Sequence, residues 1–164
     1  MKKVSILTEI FETNSPDDLN IEDQKLIEAA LNAAGSSWSP YSGFAVGAAV
    51  RLTDGSIVPG CNIENAAFPS GICAEHNALS SAAALFPGIA PSAIAITAVK
   101  EGVQVSLPVS PCGKCRQIIA EEESRHNKPL RIILAGSSKV TIIGKGSDLL
   151  PLTFSHKDLN PDPR

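Results

Sequence analysis

Two short segments constrain this chain more than any other feature: Cys73-Ala74-Glu75 and Pro111-Cys112-Gly113-Lys114-Cys115. Each stands where a helix is expected to begin, so a fold that uses both must bring two distant helix starts to one point. A Cys-x-x-Cys pair at a helix start turns two thiols toward a common centre, and Cys73 adds a third from another helix. Helix N-termini present the positive end of the macrodipole, which favours thiolates there. Such a trio suits zinc, which takes sulfur or nitrogen ligands tetrahedrally; a structural site fills all four positions with protein. The fourth cysteine, Cys61, lies within an expected strand and reads as a small buried residue. Three protein ligands then leave one position for water. Glu75, two residues after Cys73, is placed to move protons at that water without being a ligand. Either piece alone has a plainer reading, as a zinc knuckle, a redox pair or a solvated helix glutamate. The combination on two helix starts is the signal.

The rest of the chain is consistent with one soluble domain. Its 164 residues suffice for a single core, and 43% hydrophobic content argues against disorder. The formal charge is −3, with no dense Lys/Arg run, which disfavours nucleic acid and leaves a small molecule as the expected partner. Met1 to Glu12 lacks the unbroken apolar stretch of a signal peptide, and nothing later approaches membrane-spanning length. A cytoplasmic, reducing location is expected, where four cysteines serve metal binding or burial rather than disulfides.

Residues 1–19 read as an N-terminal leader ending in the turn chemistry of Asn14-Ser15-Pro16-Asp17-Asp18, and residues 160–164 as a disordered tail. Between them, residues 20–159 read as a single domain. Asn20 caps a helix that Gly35 stops. Phe44 to Leu52 and Ile57 to Ile63 form a hairpin about Asp54-Gly55. Ala74 to Phe86 reads as a buried helix and Ile94 to Lys100 as a strand of parallel-sheet type. Ser110 caps a further helix with Pro111 at its first position, running to about Arg125. Leu130 to Ala135 and Val140 to Ile143 are strands, and Leu149-Leu150-Pro151 is a short terminal element. The order predicts an α/β fold, a three-layer α/β/α sandwich around a mixed β-sheet.

On these motifs the chain resembles the cytidine deaminase family, specifically its short homotetrameric branch, from about residue 20 to 159. The likeness rests on Ser39-Pro40-Tyr41-Ser42-Gly43-Phe44-Ala45-Val46-Gly47-Ala48-Ala49, on Asn62-Ile63-Glu64-Asn65-Ala66, on Ile72-Cys73-Ala74-Glu75, and on Ser110-Pro111-Cys112-Gly113-Lys114-Cys115-Arg116-Gln117, with a weaker match at Asp148 to Phe154. The resemblance implies one Zn2+ per subunit on Cys73, Cys112 and Cys115, with Glu75 as the catalytic proton shuttle. It implies that Phe44 stacks on the pyrimidine, that Asn62 and Glu64 bind the ribose hydroxyl edge, and that the backbone of Ala74 contacts the ring. Phe154 resembles a C-terminal phenylalanine that closes a neighbouring subunit's site, which makes a homotetramer with shared active sites the expected assembly. The activity implied is hydrolytic deamination of cytidine and 2′-deoxycytidine in pyrimidine salvage.

Two departures bear on this reading. His76 follows Glu75 where the family usually has an arginine that neutralises the zinc thiolates, which leaves Arg116 to carry more of that task. At Ala67-Phe68-Pro69 the family commonly has serine and tyrosine for the first two, so a possible hydrogen bond near the sugar is lost. The altered loop keeps open a modified cytosine nucleoside of the blasticidin type as substrate. A base within nucleic acid and a non-catalytic zinc-stabilised binding domain are further alternatives. His126 and His156 are expected in solvent.

Overall fold

The computed structural model describes residues 1–159; the expected tail at 160–164 lies outside the described residues. The elements are β1 (Ile10–Thr13), α1 (Ile21–Ala34), β2 (Phe44–Leu52), β3 (Ile57–Cys61), α2 (Ala74–Leu85), β4 (Pro91–Lys100), β5 (Val103–Gln104), α3 (Gly113–His126), β6 (Arg131–Ala135), β7 (Val140–Ile143) and α4 (His156–Leu159). Short 3-10 turns lie at Pro16–Asp18, Phe68–Ser70 and Gly146–Leu149. The strands form one mixed sheet in the order β1-β7-β6-β4-β2-β3, with the two-residue β5 paired to β4. β4 pairs parallel with β6 and antiparallel with β2, so it has the parallel character expected of it on one side only.

Strand alternation distributes the core to both faces of the sheet. On one face, Leu26, Ile27 and Ala30 of α1 pack on Ala49, Ala93, Ala95 and Ile133. On the other, Ala74, Ala78 and Leu79 of α2 and Ile119 of α3 pack on Ala48, Val50, Ile94, Ile96 and Ile132. This is the three-layer sandwich the element order predicts. Small residues set how near the helices lie. A Cβ on Gly47 would stand 1.9 Å from the Ala30 carbonyl oxygen of α1, and one on Gly60 would stand 2.4 Å from the Ala78 nitrogen of α2.

α1 begins as its cap predicts: Asn20 Oδ1 accepts from the Asp23 amide at 2.9 Å. Asp23 is fully buried, and its carboxylate pairs with Arg131 of β6 at 2.5 Å and Arg51 of β2 at 3.1 Å. That cluster ties the start of α1 to two strands, where an unpaired charge would be costly.

Several local expectations differ from the structure. Residues 10–13, within the segment read as a leader, form an edge strand antiparallel to β7, with Phe11 opposite Ile142. The Ser110-Pro111 start of α3 moves two residues on: Cys112 is the N-cap, with extended backbone (φ −68°, ψ 168°), and the helix opens at Gly113. β3 ends at Cys61, which is only half-buried; its thiol contacts the Ser36 carbonyl oxygen at 3.3 Å. The terminal element is the turn Gly146–Leu149, followed by α4. His126 is not free in solvent: its side chain is 13% exposed and its Nε2 lies 3.4 Å from Glu122 one turn back on α3. His156 is exposed. Among the described residues, no helix is long and apolar enough to cross a membrane.

Because the Gly60 contact is backbone against backbone, Gly60→Ala is expected to push α2 off the sheet and lower unfolding stability by ~1–3 kcal/mol. Urea unfolding checks this, and an unchanged midpoint would show that α2 is not held at that distance.

Candidate active site

The packing of α2 and α3 on one face of the sheet brings their N-termini together. Cys73 is the N-cap of α2 and Cys112 the N-cap of α3, and neither makes a side-chain capping bond. Their thiols are therefore free to turn toward each other, with Sγ atoms 3.9 Å apart. Cys115, on the first turn of α3, is buried, and the three Sγ atoms all lie within 4.8 Å of one another. Glu75, in the first turn of α2, is 5% exposed.

Burial pushes the Cys115 thiol well up, and the charges of Glu75 and Cys73 push the same way. Cys73 is also raised, by burial and then by Cys112. At Cys112, burial opposes ionisation, but bonds from the Cys115 backbone and from the Cys115 and Cys73 thiols outweigh it and hold the thiol below its ordinary value. Burial raises the Glu75 carboxyl, partly offset by bonds from its own backbone amide and the Cys115 thiol. Three thiolates beside a carboxylate repel one another, and a divalent cation at the centre relieves that repulsion. The donor set is all sulfur, drawn from two helix N-termini and short of four ligands, and it fits a zinc ion with one position free of protein.

A cavity of about 450 Å³ opens on this cluster, within the range of small-molecule sites. Cys73, Ala74, Glu75 and Cys112 line it, with Val46 and Ile96 of the sheet and the polar pair Asn62 and Glu64. Beside it, the rings of Tyr41 and Phe68 meet edge to face, centroids 5.7 Å apart at 78°. Phe68 is 75% exposed, so the pair borders the opening rather than the interior.

The polar pair also holds the loop before β2. Asn62 Oδ1 accepts from the Ser37 hydroxyl at 2.5 Å and the Val46 amide at 2.8 Å, while its Nδ2 donates to the Phe44 carbonyl at 3.0 Å. Glu64 accepts from the Ser42 hydroxyl at 2.5 Å and the amides of Tyr41 at 2.8 Å and Ser42 at 3.3 Å. The Ser42 hydroxyl and then the Tyr41 amide hold the Glu64 carboxyl below the usual carboxylate range.

The other residues singled out from sequence are spread more widely. Phe44 lies two residues before Val46 on β2 and is not among the cavity's lining residues. Phe154 lines a separate cleft of about 440 Å³ along the C-terminal half of α3. His76 is partly buried, and its Nδ1 has no hydrogen-bond partner. Arg116 commits two of its donors to backbone: Nε to the Pro111 carbonyl at 2.9 Å and Nη1 to the Leu149 carbonyl at 3.0 Å. Tyr41 and Ser37 join the site without a sequence signal of their own, apart from the place of Tyr41 in the Ser39 to Ala49 motif.

Fold and site together define an α/β/α protein with a three-cysteine metal cradle beside a buried carboxylate. Residues 20–127 match the model of the cytidine and deoxycytidylate deaminase zinc-binding region. The chain is 41% identical over 138 residues to a cytidine deaminase of Sporosarcina psychrophila, covering 84% of this chain and 94% of that protein. It is 36% identical over 141 residues to one from Halalkalibacterium halodurans, covering 85% and 99%. The crystal structure of a cytidine deaminase from Burkholderia pseudomallei superposes with a TM-score of 0.66 at 39% identity, covering 79% of this chain and 97% of that one. The chain belongs to the cytidine and deoxycytidylate deaminase family.

Removing one thiol leaves a donor set too small to retain the ion. Cys115→Ser is expected to lose zinc under a chelator challenge that the parent protein survives, as read by metal analysis of the desalted protein; retention equal to the parent's would remove Cys115 from the ligand set.

Proposed function

We propose that this protein is a zinc-dependent hydrolase that converts cytidine and 2′-deoxycytidine to uridine and 2′-deoxyuridine with release of ammonia. The observation that carries this is a buried carboxylate, Glu75, beside a three-thiol cradle, in a cavity whose lining also includes the polar pair Asn62 and Glu64. The cytidine deaminases among its relatives support the substrate class.

Cys73, Cys112 and Cys115 hold one zinc, which when bound supplies the Lewis acidity that makes water nucleophilic toward C4 of the pyrimidine. Glu75 accepts a proton from that water, gives it to ring N3, and later carries one to the departing amine, so that water is consumed and ammonia leaves. Burial raises the Glu75 carboxyl, which favours its holding a proton in transit. The Ala74 backbone meets the polar edge of the ring, and Asn62 and Glu64 take the sugar hydroxyls. Phe44, which does not itself line the cavity but shares a strand face with Val46 that does, stacks on the base. Phe154, exposed in its own chain, closes the pocket of a neighbouring copy in a homotetramer. His76 and Arg116, next in sequence to Glu75 and Cys115, balance the thiolate charge. The protein works in the cytoplasm in pyrimidine salvage, on free nucleosides rather than nucleic acid or membrane.

A modified cytosine nucleoside is the second reading. It is favoured by Phe68, which offers an exposed apolar ring beside the opening where a phenol would offer a hydrogen bond. Rates on cytidine and on a blasticidin-type nucleoside, measured side by side, decide between the two. Zinc-loaded protein is expected to consume cytidine, followed by its ultraviolet absorbance, and absence of turnover at full zinc content overturns the proposal. Glu75→Gln is expected to keep its zinc while kcat falls by ~10²–10⁴-fold; retained turnover would refute the proton-shuttle role.

A further inference from the structure

The first turn of α3 is attached to more than the thiol cluster. Arg116 follows Cys115 directly, and its Nε and Nη1 donors reach the carbonyls of Pro111, just before Cys112, and of Leu149, far along the chain. The guanidinium is planar and rigid, so two donors in one plane fix those carbonyls relative to each other. Gln117, the next residue, donates from Nε2 to the Phe154 carbonyl at 2.8 Å. Farther down the same helix, Glu123 accepts from the amides of Gly146 at 2.6 Å and Ser147 at 2.8 Å. The chain from Gly146 to Phe154 is thus bound along α3 at three places, two of them within two residues of Cys115.

Within its own chain, among the described residues, the distal part is held otherwise only by a local bond from the Thr153 hydroxyl to the Leu150 carbonyl. Leu152 is 92% exposed and Phe154 58%, so apolar burial does not seat residues 152–154. From α3, Gln117 reaches that stretch at Phe154, and Arg116 holds Leu149 just before it. Both side chains issue from the residues immediately after Cys115, which has to be held still if the cluster is to grip an ion.

We propose that Arg116 and Gln117 are positioning residues that lock the metal-binding turn to the C-terminal segment, so that zinc retention and the seating of residues 149–154 are set together. This rests on the reading that Cys112 and Cys115 hold zinc. It differs from charge balance, because a lysine at position 116 keeps the positive charge but loses the two-pronged bond.

The test uses full-length protein, zinc-loaded and chelator-stripped, with two readouts: the rate of zinc release to a chromogenic chelator, and chymotryptic cleavage after Leu152 or Phe154, identified by fragment mass. Stripping wild type is expected to accelerate that cleavage. Arg116→Lys is expected to release zinc about 10–100-fold faster and, when loaded, to be cut as fast as stripped wild type. Once both are stripped, Arg116→Lys and wild type are cut alike, since the lock is already open. A merely structural role would instead raise cleavage equally in both states. Gln117→Met is expected to speed cleavage after Phe154 in loaded protein, and it serves if Arg116→Lys does not fold. Wild type that binds zinc but is cut at the same rate without it overturns this inference and leaves the metal reading intact. Wild type that binds no zinc overturns both.

Discussion

The distance at which α2 lies on the sheet governs nearly everything else in this molecule. That distance is set by small residues. Gly60 has no side chain where the backbone of Ala74 and Ala78 passes, and both alanines share one buried core cluster with Ala48. A helix held this close begins at the sheet surface, so Cys73 arrives at the same level as Cys112. Larger residues at Gly60 or Ala78 would tilt or lift α2, and thiols that must lie within 4.8 Å of one another tolerate little of either. The alanine-rich composition of this region is therefore a condition of the site and not only of the core.

Low polarity around the cluster does the complementary work. Burial raises Glu75, Cys73 and Cys115 together, and each charge there makes the next harder to form. The apo protein is thus held away from its fully ionised state, and binding a divalent cation at that point releases protons as well as filling the centre. The buried Asp23 cluster, at the other end of β2, shows the contrasting solution, where two arginines meet the buried carboxylate directly.

How much of this could be read from residues alone depended on how local the cause was. β2 and β7 have the bounds the hydrophobic runs predict, because each run is closed by turn residues beside it. α3 starts later than Ser110-Pro111 suggests, since the backbone stays extended through Cys112 to present its thiol. β1 left no usable signal: four largely exposed residues become a strand only through β7, more than a hundred residues away in sequence. In the site, the thiol trio and Glu75 were legible because spacing on helix starts encodes them. The loop-holding bonds of Asn62 and Glu64 and the distant partner of Arg116 were not, because they join side chains to carbonyls and amides that no residue pattern marks.

The bonds around Asn62 and Glu64 have a consequence for the thermodynamics of ligand capture. Their side chains are immobilised by Ser37, Ser42 and the backbone of the loop before β2, so the rotamer freedom that binding usually removes has already been surrendered in folding. A ligand engaging this pair meets a receptor that needs no ordering, and the entropic part of its affinity is correspondingly less unfavourable. The same arrangement makes the rim unforgiving: it cannot re-form around a differently placed hydroxyl without releasing the loop as well.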